Sequence, residues 1–135
     1  MGSHPHHLIV QLQETTTVFY QRYFNNFVMT NETSDYAVTH TGSWSPADKL
    51  MEDCWPGTSL KFSTFDRDND DNEDNCAAIY GAGFWFQSEN CTVCNPNGDV
   101  YPSLTSRLGI ESENFWTPTL GDWNPRAVGI FLVRQ

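Results

Sequence analysis

Between Phe65 and Cys76 the chain reads FDRDNDDNEDNC, with carboxylates at Asp66, Asp68, Asp70, Asp71, Glu73 and Asp74 and one cation, Arg67. Such a run has two physical readings. As like charges it is a solvated, self-repelling stretch. As acids alternating with small polar residues, it turns several hard oxygens toward one Ca²⁺. An EF-hand is excluded. Counted from Asp66, its sixth position is Asp71 where glycine is needed, and its twelfth is Ala77 where glutamate is needed. Counting from Asp68 places Glu73 and Ile79 there, which fits no better.

Cys91 and Cys94, in CTVC, raise zinc and redox chemistry. Zinc needs a second CxxC or a histidine pair, and beyond the amino terminus the sequence has only His40. Redox CxxC motifs open a helix after a strand, whereas this one runs into Asn95, Pro96, Asn97 and Gly98, which is turn chemistry. With Cys54 and Cys76 the cysteines number four, and an even number in an acidic, lysine-poor protein suggests two disulfides and an oxidising compartment. Glycosylation sequons at Asn31 and Asn90 point the same way, to a secreted, extracellular protein. Catalysis finds no support. One non-terminal histidine builds no Ser/His/acid constellation, and no carboxylate pair stands out among seventeen acids.

The scaffold for these residues is one domain, since 135 residues are enough for a real core. A composition 39% apolar and 14% aromatic argues against a disordered polypeptide. The net charge of −10 excludes nucleic acid and anionic membrane surfaces as partners, for want of a basic footprint. No apolar run approaches the ~18 residues of a membrane span, which argues against membrane insertion. Residues 1–7, MGSHPHH, read as a tag-like or disordered terminus, with the native start near Leu8.

LIVQLQE (8–14) and TTVFYQRYFNNFVMT (16–30) read as strands joined by a turn at Glu14 to Thr16. YAVTHTGSW (36–44) reads as a third strand, with Tyr36, Val38 and His40 on one face. SPADKLM (45–51) is the best helix candidate: Ser45 as cap, Pro46 in first position, Asp48 at the positive end. From Asp66 to Trp123 turn residues and aromatics dominate, so this half needs disulfides or an ion as staples. AVGIFLVRQ (127–135) is a strand apolar enough for the middle of a sheet.

The segment KFSTFDRDNDDNEDNCAAIYGAGFWF resembles the fibrinogen-related domain family, which includes the ficolins, the tachylectins and the C-terminal globes of fibrinogen. The matching motifs are the FST-aromatic-D-x-D-x-D stretch at Phe62–Asp70, Cys76, the aromatic run Gly83–Phe86, Cys91, the N-x-N-G at Asn95–Gly98 and a closing strand at Ile130–Arg134. Upstream, GSWSPADKLMED stands where the family has G-x-x-S-x-x-A-G-D-S-L. The resemblance implies an α+β fold: a twisted antiparallel sheet with a short helix, plus a loop-rich calcium-binding subdomain. Its boundaries would be 8–65 for the sheet subdomain, 66–126 for the loop-rich part and 127–135 for the closing strand. The family's amino-terminal subdomain is expected to be missing.

Carried over position by position, the resemblance implies a Ca²⁺ held by carboxylates of Asp68 and Asp70 and by backbone carbonyls of Asn72 and Asp74. Two carboxylates at i and i+2 of an extended loop can both turn inward, which supports that set independently. Asp66, Asp71 and Glu73 would supply field rather than ligands. The family's recognition site lies around its second cysteine, behind a peptide bond that is often cis. The matching positions are Asn90, Cys91 and Thr92, with Tyr80, Phe86, Tyr101 and Trp116 as walls and Trp85 as packing. The family pairs Cys76 with Cys91. That leaves Cys54 and Cys94, joined to each other, free, or linking two copies; the rival bridge is Cys91–Cys94. Three departures bear on the ligand: Phe84 replaces the first aromatic of the usual pair, Thr92 stands where histidine is common, and the 97–109 loop is shorter. The implied function is a calcium-dependent, lectin-like module for carbohydrate or acetylated ligands in innate defence, acting through multivalency as a homo-oligomer. The alternative is a protein-interaction or self-assembly module without lectin activity.

Overall fold

A computed structural model describes residues 6–51, 54, 59–99, 111–121 and 123–134. Its principal sheet has four strands in the order β5-β2-β1-β6, formed by β1 (His6–Gln13), β2 (Phe19–Asn25), β5 (Gly42–Trp44) and β6 (Ala127–Arg134). All three pairings are antiparallel; Ile9 stands opposite Tyr23 on one side and Phe131 on the other. A second, two-stranded sheet joins β3 (Val28–Met29) to β4 (Val38–Thr39). Alternation along β1 follows from the two-residue period of a strand: Leu8, Val10 and Leu12 are buried, and the residues between them are only half-buried. Phe24 of β2 joins them, each contributing roughly 1.5–3 kcal/mol by leaving water.

The α+β expectation holds, with helices elsewhere than expected. Residues 45–51 hold only a 3₁₀ turn at Ala47–Lys49, whose N-cap is Pro46. The Ser45 hydroxyl does not cap it; it donates to the Gln21 and Lys49 carbonyls and accepts from Met51 N–H. Among the described residues the α-helices are α1 (Cys76–Tyr80) and α2 (Thr117–Leu120), each a little over one turn. The stretch 16–30 is not one strand either. Asn26 adopts φ 49°, the left-handed region asparagine tolerates, and the backbone turns there so that Phe27 enters the core. Residues 36–44 likewise divide between β4 and β5, in different sheets.

Two expectations about the ends change. His6 and His7 belong to β1, opposite Arg134 and Val133, and the His6 carbonyl accepts from Phe27 N–H at 2.8 Å. They are part of the fold rather than a floppy terminus; His4 lies outside the described residues. And β6, apolar as a central strand, stands at the edge of the described sheet. Behind the sheet the core continues through Phe84, Phe86, Trp116 and both disulfides.

Candidate calcium loop and recognition site

The acidic loop springs from a clamp. Ser63 and Phe84 exchange backbone hydrogen bonds at 3.0 and 3.2 Å, which locks the FST segment to the aromatic run. Gly83 makes this approach feasible, because a Cβ there would lie 2.7 Å from the Phe62 ring. From the clamp, buried Ser63 accepts from Asn69 N–H at 2.9 Å, and the Asn69 amide donates to the Phe62 carbonyl at 2.9 Å. Arg67 does not neutralise its own loop. It reaches back to Asp35 at 2.7 Å and Glu32 at 3.4 Å, pinning the loop to the sheet half.

Asn75 closes the far end. Its amide oxygen accepts from Ala78 N–H at 3.1 Å as the cap of α1, and its amide nitrogen donates to the Phe65 carbonyl at 2.9 Å. One residue therefore joins both ends of the acidic run. Asn75→Ala is expected to cost about 1–2 kcal/mol, from the lost cap together with the lost tie. A urea titration of both proteins measures it; an unchanged midpoint would remove Asn75 from this role.

Within the loop the expected ligand positions follow one rhythm. Asp70 N–H donates to Asp68 Oδ1 at 3.3 Å, Asn72 N–H to Asp70 Oδ1 at 3.0 Å, and Asp74 N–H to Asn72 Oδ1 at 2.9 Å. These are successive Asx turns. Asn72 also donates to the Ser88 carbonyl at 2.8 Å, so both ends of its side-chain amide are engaged within the protein. Asp70 Oδ2 is buried without a hydrogen-bond partner. Burial pushes the Asp70 carboxyl above its ordinary value and Asp68 adds to the effect, while the N–H groups of Asn72 and Cys76 oppose it. A buried, unpartnered carboxylate oxygen beside a second carboxylate is chemistry a divalent cation would satisfy. Among the described residues no three His, Cys, Asp or Glu side chains converge on a common point.

Both expected disulfides are present. Cys76–Cys91 has a Cα separation of 5.6 Å and Cys54–Cys94 one of 6.0 Å. The first ties the start of α1 to the recognition turn, where Asn90 and Cys91 take φ 53° and 58° in succession. No cis peptide occurs among the described residues, which corrects the expectation of one before Cys91. Two left-handed residues make the sharp turn instead. Thr92 N–H closes onto the Asn90 carbonyl at 2.6 Å rather than facing outward. The Thr92 hydroxyl is likewise spent internally, donating to the Cys94 carbonyl at 2.7 Å and accepting from Cys94 N–H at 3.2 Å.

The other expected walls divide. Trp116 is fully buried and packs as core, because its segment pairs with Cys94. Tyr80 is half-buried, its ring 5.9 Å from those of Phe86 and Phe115. Tyr101 lies outside the described residues. Trp85 is partly buried, as expected, and its indole donates to the Tyr36 carbonyl at 2.8 Å. Both sequon asparagines, Asn31 and Asn90, are exposed.

A cleft of 320 Å³ is lined by Asn69, Asp70 and Asp71 of the acidic loop together with Lys61, Phe86, Gln87 and Ser88. Lys61, Gln87 and Ser88 carry no motif, so sequence reasoning passes over them. The only signal is their position, on or just beyond the two segments that meet at the Ser63–Phe84 clamp.

Comparison with known proteins gives a consistent context. Residues 2–123 match the family model for the C-terminal globular domain of the fibrinogen beta and gamma chains. Mouse fibrinogen alpha chain is 44% identical over 78 residues, 53% of the present sequence and 10% of that protein. Mouse angiopoietin-2 is 32% identical over 101 residues, 75% of the present sequence and 20% of that protein. The sequence thus spans a fifth or less of these relatives' length. The fibrinogen-like globe domain of human ANGPTL6 superposes with a TM-score of 0.83 at 21% identity, over 98% of the present protein and 58% of that domain. Lamprey fibrin D-dimer, complexed with the peptide Gly-His-Arg-Pro-amide, superposes with a TM-score of 0.74 at 20% identity, over 98% of the present protein and 46% of the lamprey one.

Proposed function

The protein belongs to the family of fibrinogen C-terminal globular domains, and from that premise we propose that it is a secreted recognition module for a basic peptide or protein segment, with Ca²⁺ ordering the acidic loop beside the binding cleft. The cleft between Asp70, Asp71 and the Gln87–Ser88 segment carries this reading. Its carboxylates, on a protein of net charge −10, complement a cationic ligand. The curated relatives support interaction over catalysis, and the lamprey complex has a peptide as its ligand. Asp68, Asp70, Asn72 and Asp74 would hold the ion, whose chemistry here is to cross-link a loop with few ladder bonds of its own. The two disulfides and the relatives' identities support an extracellular setting.

The lectin-like reading loses ground at Thr92, whose N–H and hydroxyl are both used internally. Calorimetric titration with Gly-His-Arg-Pro-amide, in calcium and in chelator, tests the proposal beside a glycan array. Calcium-sensitive peptide binding, weakened by Asp71→Lys, is the expected outcome. Calcium-sensitive binding to acetylated glycans with no response to the peptide would restore the lectin reading in its place.

A further inference from the structure

The segment that carries the acidic loop and the segment that carries the recognition turn are joined at both ends. Ser63 and Phe84 exchange backbone hydrogen bonds at one end, and the Cys76–Cys91 disulfide closes the other. Between these fixed points Asn72 Nδ2 donates to the Ser88 carbonyl at 2.8 Å. The rest of Asn72 belongs to the acidic loop: its N–H donates to Asp70 Oδ1 at 3.0 Å, and its Oδ1 accepts from Asp74 N–H at 2.9 Å. Ser88 belongs to the recognition turn, which Gln87 N–H closes onto the Cys91 carbonyl at 2.8 Å. Asp70 and Ser88 both line the 320 Å³ cleft, so one side chain ties two of its lining segments together. The turn needs holding. Asn90 and Cys91 are consecutive non-glycine residues at φ 53° and 58°, a backbone that persists only where its surroundings enforce it. The disulfide holds Cys91, and Asn72 holds Ser88. Ser88 is exposed and Asn72 half-buried, so water competes for their bond. A bond of this kind shifts an equilibrium about two- to tenfold, enough to bias the turn and weak enough to open.

On the reading of the loop as a calcium site and the cleft as a peptide site, we propose that the Asn72 side chain is the latch that couples the two. An ion that fixes the Asx turns of the loop also fixes the Ser88 carbonyl, and with it the Gln87–Ser88 part of the cleft. Asn72 thereby acts on the peptide as a positioning residue, through the turn that its amide holds. Coupling between two sites is reciprocal. Calcium is expected to tighten Gly-His-Arg-Pro-amide about two- to tenfold, and the peptide to tighten calcium by the same factor.

Two readouts on the whole protein test the latch, one of them independent of any peptide. Exchange of the Gln87 and Thr92 amides, both hydrogen-bonded within the turn, is expected to slow about two- to tenfold between chelator and saturating calcium. Asn72→Asp keeps an acceptor for Asp74 N–H and loses the donor to Ser88. In that variant the two exchange rates are expected to coincide, and calcium no longer to tighten the peptide in calorimetry. Asn72→Ala is expected to behave alike, and it serves alone if the added charge prevents folding. Amides that still follow calcium in these variants would route the coupling through Cys76–Cys91 and overturn the latch. So would variants with no calcium-dependent melting shift at any concentration, which would place the side chain in the ion site itself. A parent protein that melts higher in calcium while these amides stay unmoved overturns it too. A parent whose amides respond through Asn72 but which ignores the peptide supports the latch and overturns the peptide reading alone.

Discussion

In chelator, Asp70→Asn is expected to melt above the parent protein; in saturating calcium it is expected to melt below it. The crossover follows from one atom. Asp70 Oδ2 is buried without a partner and lies beside the Asp68 carboxylate, so the calcium-free fold holds a charge it does not stabilise. An amide removes that charge and its repulsion, and with them a ligand. Ion binding to the folded state alone contributes RT ln(1 + [L]/Kd), about 2.7 kcal/mol at a hundredfold excess, or roughly 10 °C for a domain of this size. Asp68→Asn should forfeit the same shift, whereas exposed Asp71→Ala should retain it. The sign of the pH effect agrees. Because the folded Asp70 is raised above 3.8, the contribution of this group without calcium is present at low pH and lost as pH rises through the raised value. Differential scanning fluorimetry of the parent and the three variants decides the matter. A full calcium shift in Asp70→Asn would refute the ligand assignment.

The parts of this molecule that are legible in the sequence share a physical reason. β1 shows a clean two-residue alternation because it is central, with one face in the core. The Cys76–Cys91 bridge is legible through family resemblance, which carries a contact that no local pattern encodes, while Cys54–Cys94 has no family counterpart and is the pair that remains. Elsewhere single residues override the pattern. Asn26 breaks what looks like one strand, and an Asn-Asn pair is a turn signal that the apolar residues on either side conceal. Ser45 looks like a helix cap, yet its hydroxyl is drawn to the Gln21 carbonyl of β2, a tertiary partner that no local rule contains. The helix signal that matters is Asn75, which caps α1 inside a run that reads first as charge. The resemblance points to residues 90–92 as a special turn, but not to its geometry, because left-handed Asn90 and Cys91 stand where a cis bond was expected. The composition of β6 suits a central strand, and its place is an edge of the sheet among the described residues.

Removing the Cys54–Cys94 bridge as Cys54→Ala/Cys94→Ala is expected to cost about 4 kcal/mol, the larger loss of the two disulfides. Its loop spans a sequence separation of 40, against 15 for Cys76–Cys91. On the chain-entropy account a bridge stabilises by restricting the unfolded ensemble, and the stabilisation grows with the logarithm of the loop. The shorter loop is then worth about 3 kcal/mol, and the two variants should differ by roughly 1 kcal/mol. The longer bridge also joins the sheet half to the loop half at a fully buried point, since Cys94 pairs with Trp116 and the Cys54 sulfur lies 3.9 Å from the Thr92 hydroxyl. Local geometry argues for the opposite order. Cys91 sits at φ 58°, and without Cys76 the left-handed turn and the adjoining acidic loop lose their tether. Calcium separates the two accounts. If chain entropy dominates, loss of Cys54–Cys94 lowers stability equally with and without calcium. If enforcement of the turn dominates, loss of Cys76–Cys91 costs more, and it abolishes the calcium shift as well. Urea unfolding of both double variants, in calcium and in chelator, gives all four values, and a costlier Cys76–Cys91 would sink the entropic ordering.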